Sequence, residues 1–125
     1  MRGFILNNQL TDFSLSPTDA QGRPVANRVE PGKRPRSSMA PTIVLDPAGR
    51  LFAVLGSPGG SRIPLYVTKT LIGLIDWRLD AQAAADLPNF GSRNGPLEIE
   101  TEIAGALLPL QMKGLGHEIR SDRMT

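Results

Sequence analysis

The apolar positions of this chain fall into short runs and one helical stripe, separated by long polar stretches. Near the start, "GFILNN" is an apolar run closed by an asparagine pair, the pattern of a strand running into a turn. "QLTDFSLSP" continues as a polar loop. Residues 16–38 hold four prolines and no apolar periodicity, which predicts a long irregular loop. Loops beyond about 12–15 residues are uncommon in a compact domain and are usually functional or disordered.

"PTIVLD" and "LFAVLGS" flank "PAGR", a Pro-Gly turn, and predict a β-hairpin. Both runs are continuously apolar, which predicts a sheet covered on two faces. A helix follows at 63–77, with Ile63, Val67, Leu71, Leu74 and Ile75 on one stripe and Pro64 in its first turn. Asp80 is placed to cap a second short helix, "AQAAAD", which "LPNF" stops. "GPLEIET" alternates as an exposed strand does. "EIAGALLPLQMKGLG" reads as a helix weakened by Gly105 and Pro109 that ends at Gly114 or Gly116, and "HEIRSD" as a last strand. The order is strand, long loop, hairpin, two helices, strand, helix, strand. That is an α+β fold, a single layered domain over 1–125 without internal repeats or a linker.

Composition narrows the function classes. A chain of 125 residues, 40% of them hydrophobic, holds one core and is too short for two comfortable ones. Lysine and arginine number 14 against 12 aspartates and glutamates, a net charge of +2. The only dense basic cluster is "GKRPR" and aromatics are 5%, which argues against a nucleic-acid partner. Absence of cysteine excludes disulfides, thiolate metal sites and cysteine nucleophiles. The single histidine, His117, excludes an imidazole cluster and reads as an exposed or partly buried structural residue, so no metal site is expected. No apolar stretch approaches the roughly 20 residues of a membrane span, and the N-terminus carries no signal-peptide core.

The stretch "GSPGGSRI", residues 56–63, carries the most pointed chemistry. Gly59 and Gly60 free the backbone ahead of a helix to turn N–H groups toward an anion. Three familiar readings fail. No lysine follows the glycines as a phosphate loop requires, and the glycines at 56, 59 and 60 miss the dinucleotide spacing. Pro58 directly after Ser57 removes the N–H that a nucleophile elbow would use. An oxyanion partner and plain turn geometry both remain open. Ser37 and Ser38, in "RPRSSMAPT", can donate together to one carboxylate or cap a strand's backbone. Gln9 and Asp12, in "NNQLTDF", flank a strand end, and Asp12 suits either an ammonium group or an Asx-turn.

Taken in order, "LNNQLTDFS", "PGKRPRSSMAPTIVL", "GSPGGSRI" and "IDWRLDAQAAADLPNF" resemble the small subunit of γ-glutamyltransferases, also called γ-glutamyl transpeptidases or glutathione hydrolases, over nearly the whole chain. The resemblance implies an N-terminal-nucleophile hydrolase, an αββα sandwich made as a precursor that cleaves itself. In that chemistry the new N-terminal threonine attacks the γ-glutamyl carbonyl with its own α-amine as base, and water or an amino acid resolves the acyl-enzyme. By the same resemblance Gly59 and Gly60 match the oxyanion-hole glycines. Ser37 and Ser38 match the serines holding the glutamyl α-carboxylate, and Gln9 and Asp12 the residues gripping its α-amino group. No cofactor is implied.

Departures from the family pattern set further expectations. The nucleophilic threonine, a second threonine and an asparagine belong upstream of Met1, and the large subunit with its carboxylate-binding arginine is absent. "SDRMT" stops where one or two more strands normally follow. Thr11 stands where the family is often acidic; being mid-chain with no free amine, it is no substitute nucleophile. The chain alone is therefore expected to be inactive and, with sheet edges uncovered, to self-associate. The resemblance implies a family that usually works in the periplasm, outside the cell or on its surface; no export signal is seen in this sequence, so its own location stays open. Two other functions stand beside the first. One is a non-catalytic amino-acid or γ-glutamyl binding module. The other, for the full enzyme, is a cephalosporin-type acylase, which Asp12 disfavours because glutaryl groups have no ammonium to pair with it.

Overall fold

Asx-type turns at Asn7 and Asp19 show how polar side chains help to organise the first part of the chain. The computed structural model describes residue 3 and residues 6–123, with Asp122 described through its backbone only. Phe4 and Ile5, the apolar centre of the expected first strand, lie outside the described residues. Asn7 Oδ1 accepts from the Gln9 N–H at 3.2 Å and opens a short 3-10 helix, Gln9–Asp12. Phe13 is buried just behind it. In the next turn Asp19 Oδ1 accepts from the N–H groups of Gln21 and Arg23, both at 2.9 Å, and Asp19 Oδ2 accepts from Arg23 Nε at 2.7 Å. Residues 16–37 contain no helix or strand, only turns and one isolated bridge, Thr18 with Pro24.

The chain forms two compact units, Met1–Ser37 and Ser38–Thr125. Among the described residues, the second contains all the regular sheet and α-helix. Its hairpin pairs β1 (Thr42–Leu45) with β2 (Leu51–Leu55), with a bulge between Val44 and Leu45. The connecting turn repeats the chemistry of residues 19–23. Asp46 Oδ1 accepts from Ala48 N–H and Arg50 N–H, and Asp46 Oδ2 from Arg50 Nε at 2.8 Å. Gly49 takes the left-handed φ of 77° that this turn needs. The expectation of two covered faces does not hold. Ile43, Leu45, Phe52 and Val54 share one face and are all exposed, whereas Val44, Ala53 and Leu55 opposite are half-buried. Both faces are apolar, and the face of Ile43, Leu45, Phe52 and Val54 is the more exposed of the two.

Helix α1 (Ile63–Ile75) follows the glycine turn through a 3-10 segment, Gly60–Arg62, with Pro64 in its first turn as expected. Its buried face differs from the predicted stripe. Tyr66, Val67, Lys69 and Gly73 are buried, whereas Ile75 is exposed. Packing rather than hydrophobicity decides the rotation. Helix α2 (Ala81–Asp86) seats fully buried Ala84 against Gly73, so closely that a β-carbon on Gly73 would stand 3.0 Å from that of Ala84. Lys69 Nζ reaches over to donate to the carbonyls of Ala85 and Leu87, at 3.0 and 2.8 Å. Asp80 caps α2 as predicted, accepting from Ala83 N–H at 2.8 Å.

The rest builds a three-stranded sheet in the order β3 (Phe90–Gly91), β4 (Leu97–Glu100), β5 (Ile119–Asp122). Strand β4 lies in the middle, antiparallel to β3 and parallel to β5. The exposed strand expected there is therefore corrected: Glu98 and Ile99 are both buried, Ile99 completely. A central strand loses its solvent face when elements cover both sides. The expected helix after β4 is two helices, α3 (Thr101–Ala104) and α4 (Leu107–Gly114), broken at Gly105. The architecture is α+β, as expected. No helix among the described residues is long and apolar enough to cross a membrane.

Candidate functional site

In the unit Met1–Ser37, Asn27 ties together the two segments the sequence singled out. Its side-chain Nδ2 donates to the Asp12 carbonyl at 2.7 Å, and its Oδ1 accepts from the Arg36 N–H at 2.9 Å. Its own carbonyl accepts from Ser14 N–H at 2.9 Å. One amide side chain thus holds both the turn carrying Gln9 and Asp12 and the segment leading into Ser37. Asp12 is exposed, and its carboxylate accepts no hydrogen bond among the described residues. The Asx-turn here belongs to Asn7 instead. Gln9 is half-buried and Ser37 exposed. Thr11 donates its hydroxyl to the Asn8 carbonyl at 2.8 Å, a local turn bond.

In the unit Ser38–Thr125 the glycine turn is held through its carbonyls. Ser57 Oγ donates to the Pro58 carbonyl at 2.7 Å, Arg62 N–H to that of Gly59 at 3.0 Å, and Ser38 Oγ to that of Gly60 at 2.6 Å. The N–H groups of Gly59 and Gly60 donate to no acceptor among the described residues. In a trans peptide the N–H points opposite to the C=O of the same plane. Pinning the Pro58 and Gly59 carbonyls therefore fixes the directions of the Gly59 and Gly60 N–H groups. Gly59 has φ 130°, and a β-carbon there would lie 2.5 Å from a ring carbon of Tyr66, so only glycine fits. Gly60 has φ 55° with open space around it.

Behind the turn sits a charged cluster. Glu98 Oε2 accepts from Arg62 Nε at 3.0 Å and Oε1 from Arg93 Nη2 at 2.8 Å, while Arg93 Nη1 donates to Ser61 Oγ at 2.8 Å. The guanidinium of Arg93, and after it that of Arg62, hold the Glu98 carboxyl below the usual glutamate range. A cavity of about 740 Å³ opens between β2 and α1, lined in part by Leu55, Gly56, Ser57, Tyr66 and Lys69. Desolvation moves the Lys69 ammonium below its ordinary value, against the opposing pull of Glu100 and Asp86. His117 is exposed. Among the described residues no group of three or more acidic or imidazole side chains is placed to hold a metal ion.

The structure thus joins Ser38 to Gly60 within one unit, and the Gln9–Asp12 turn to the approach of Ser37 within the other. Asn27, Glu98 and Arg93 escaped sequence reasoning, and Ser57 was considered there only as a nucleophile. Asn27 lies in a loop with no pattern to single it out, and Glu98 occupies a polar position of an alternating strand, where solvent is the default.

Comparison with known proteins supplies the context. The family model described as gamma-glutamyltranspeptidase matches residues 1–125. The chain is 41% identical over 104 residues to the glutathione hydrolase proenzyme of Escherichia coli, covering 80% of this chain and 18% of that protein. It is 35% identical over 123 residues to the acylase ACY 1 proenzyme of a Pseudomonas species, covering 98% of this chain and 21% of that one. The crystal structure of a T380A mutant of Helicobacter pylori gamma-glutamyltranspeptidase superposes with a TM-score of 0.81 at 35% identity, covering 99% of this chain and 69% of that chain. The chain thus spans about a fifth of the length of these proenzymes.

Proposed function

The chain belongs to the gamma-glutamyltranspeptidase family, and on that premise we propose that it supplies the glutamyl pocket and oxyanion-binding turn of an enzyme that transfers or hydrolyses γ-glutamyl groups. The single observation that carries this reading is the glycine turn. Two adjacent amides have their directions fixed by their own carbonyl partners and no intramolecular acceptor among the described residues. Preorganised N–H donors of this kind stabilise a tetrahedral oxyanion.

The division of labour follows from charge. Asp12 offers the α-ammonium a carboxylate without a partner among the described residues, with Gln9 in the same 3-10 helix. Ser37 and Ser38 offer hydroxyls to the α-carboxylate. Ser38 donates its one proton to the Gly60 carbonyl, so it serves a carboxylate by turning that hydroxyl toward the ligand. An incoming hydroxyl oxygen adds to the γ-carbonyl carbon, its proton passing to the attacking residue's amine, and the carbonyl oxygen becomes the anion facing Gly59 and Gly60. Collapse expels the amine, which takes that proton, and water or a second amine resolves the ester. The attacking threonine comes from a part of the precursor outside this chain; Thr11 uses its hydroxyl within a turn. The exposed hairpin face of Ile43, Leu45, Phe52 and Val54 supports a covering partner, the remainder of the precursor, and self-association of the chain alone.

The test is release of nitroaniline from a γ-glutamyl anilide. The full-length precursor carrying this chain turns it over and the isolated chain does not. Turnover by the isolated chain, or none by the processed precursor, contradicts the proposal. The acylase relative motivates a second reading, glutaryl amide hydrolysis. A glutaryl anilide preferred over the γ-glutamyl one establishes it in place of the first.

A further inference from the structure

We propose that Glu98 is a positioning residue for the double-glycine turn, acting through Arg62 and Arg93; this rests on the function proposed above. A carboxylate taken out of water is costly unless it is paired and its oxygens are satisfied. The Glu98 side chain is only 9% exposed, and each of its oxygens meets a different guanidinium. A charged group so placed on a central strand constrains where its partners stand.

Those partners attach to the turn from two sides. Arg62 comes two residues after Gly60, and its backbone N–H holds the Gly59 carbonyl whose peptide plane carries the Gly60 N–H. Arg93 holds the hydroxyl of Ser61, the residue directly after Gly60. Strand β4 is thereby linked through Glu98 to both residues following the glycines. Glycines have wide conformational freedom, so the turn needs such an anchor to keep its two amides in register. The link runs Glu98 carboxylate, Arg62 side chain, Arg62 N–H, Gly59 carbonyl, Gly60 amide.

An anchor that serves only folding changes the melting temperature alone. An anchor that aims donors at an oxyanion acts on the transition state, and so changes kcat per folded, processed enzyme far more than KM. In the full-length precursor, Glu98→Gln should lower kcat on a γ-glutamyl anilide about 10- to 100-fold, the scale of a displaced catalytic donor, with KM within about twofold. Glu98→Asp should recover part of that loss. Arg93→Gln, which leaves the Arg62 pair intact and changes a half-exposed side chain, should lower kcat about 3- to 10-fold. Glu98→Gln with unchanged kcat per processed subunit overturns the positioning role. So does a raised KM at unchanged kcat. If the Glu98→Gln precursor does not fold, unchanged kcat in Arg93→Gln overturns it instead. An inactive unsubstituted precursor overturns the proposed function and this role with it, a result distinct from the others.

Discussion

The Ser38 hydroxyl donates to the Gly60 carbonyl at 2.6 Å, across 22 residues of sequence. This bond joins the approach to β1, where one predicted carboxylate-binding serine lies, to the turn predicted to face an oxyanion. It ties the Ser38 side chain to the backbone of that turn. In the proposed site, until a ligand turns that hydroxyl away, this bond holds the serine side chain beside the glycine turn.

Removing that hydroxyl should be felt in recognition more than in folding. Ser38→Ala should raise KM for a γ-glutamyl donor about 10- to 100-fold, the loss of one charge-assisted hydrogen bond, and lower stability by about 1 kcal/mol. Steady-state kinetics of the full-length enzyme and urea unfolding of the chain read the two effects. An unchanged KM rejects the carboxylate role of Ser38.

The two glycines should respond differently to a methyl group. Gly59→Ala forces a β-carbon into the Tyr66 ring at a φ of 130°, and should destabilise the fold by about 2–4 kcal/mol. Gly60→Ala meets open space and carries only the left-handed backbone penalty, about 1–2 kcal/mol. Thermal melts of the two variants should rank them in that order; equal melting temperatures contradict the close approach to Tyr66.

Asp12 and Asn27 should both control KM. Asp12→Asn should weaken a γ-glutamyl donor about 100-fold while leaving a glutaryl analogue nearly unaffected, because only the former brings an ammonium to pair. Asn27→Ala removes the bonds to the Asp12 carbonyl and Arg36 N–H, and should raise KM about tenfold by loosening both segments. Equal losses on the two substrates in Asp12→Asn argue against an ammonium partner.

Acid should release the Glu98 clamp. Its carboxyl is held below the ordinary glutamate value of about 4.3, so its contribution is full above that pH and is lost as pH falls through the lowered folded value. Glu98→Gln should cost about 1–3 kcal/mol near neutrality, and its deficit relative to the unsubstituted chain should shrink steadily below about pH 4. Melting curves from pH 7 to 3 test this. A constant gap across that range shows that the carboxylate is not ionised against its arginines.

Local patterns made much of this fold legible in the sequence. The hairpin around "PAGR", the helix after the double glycine and the Asp80 cap were readable because each depends on neighbours a few residues away. The motif "GSPGGSRI" likewise announced a glycine turn ahead of a helix, and a family to compare it with. Tertiary structure decided which face of α1 is buried, since that turns on Ala84 packing against Gly73 rather than on the apolar stripe. It also turned "LEIE" from a solvent-facing strand into a central one, with Glu98 buried between two arginines 36 and 5 residues away. Chain periodicity reports what each residue prefers; it carries no record of which distant charge arrives to satisfy it. For the same reason Asn27, one polar residue in an unpatterned loop, became visible as a tie only when Asp12 and Arg36 were seen on either side of its amide.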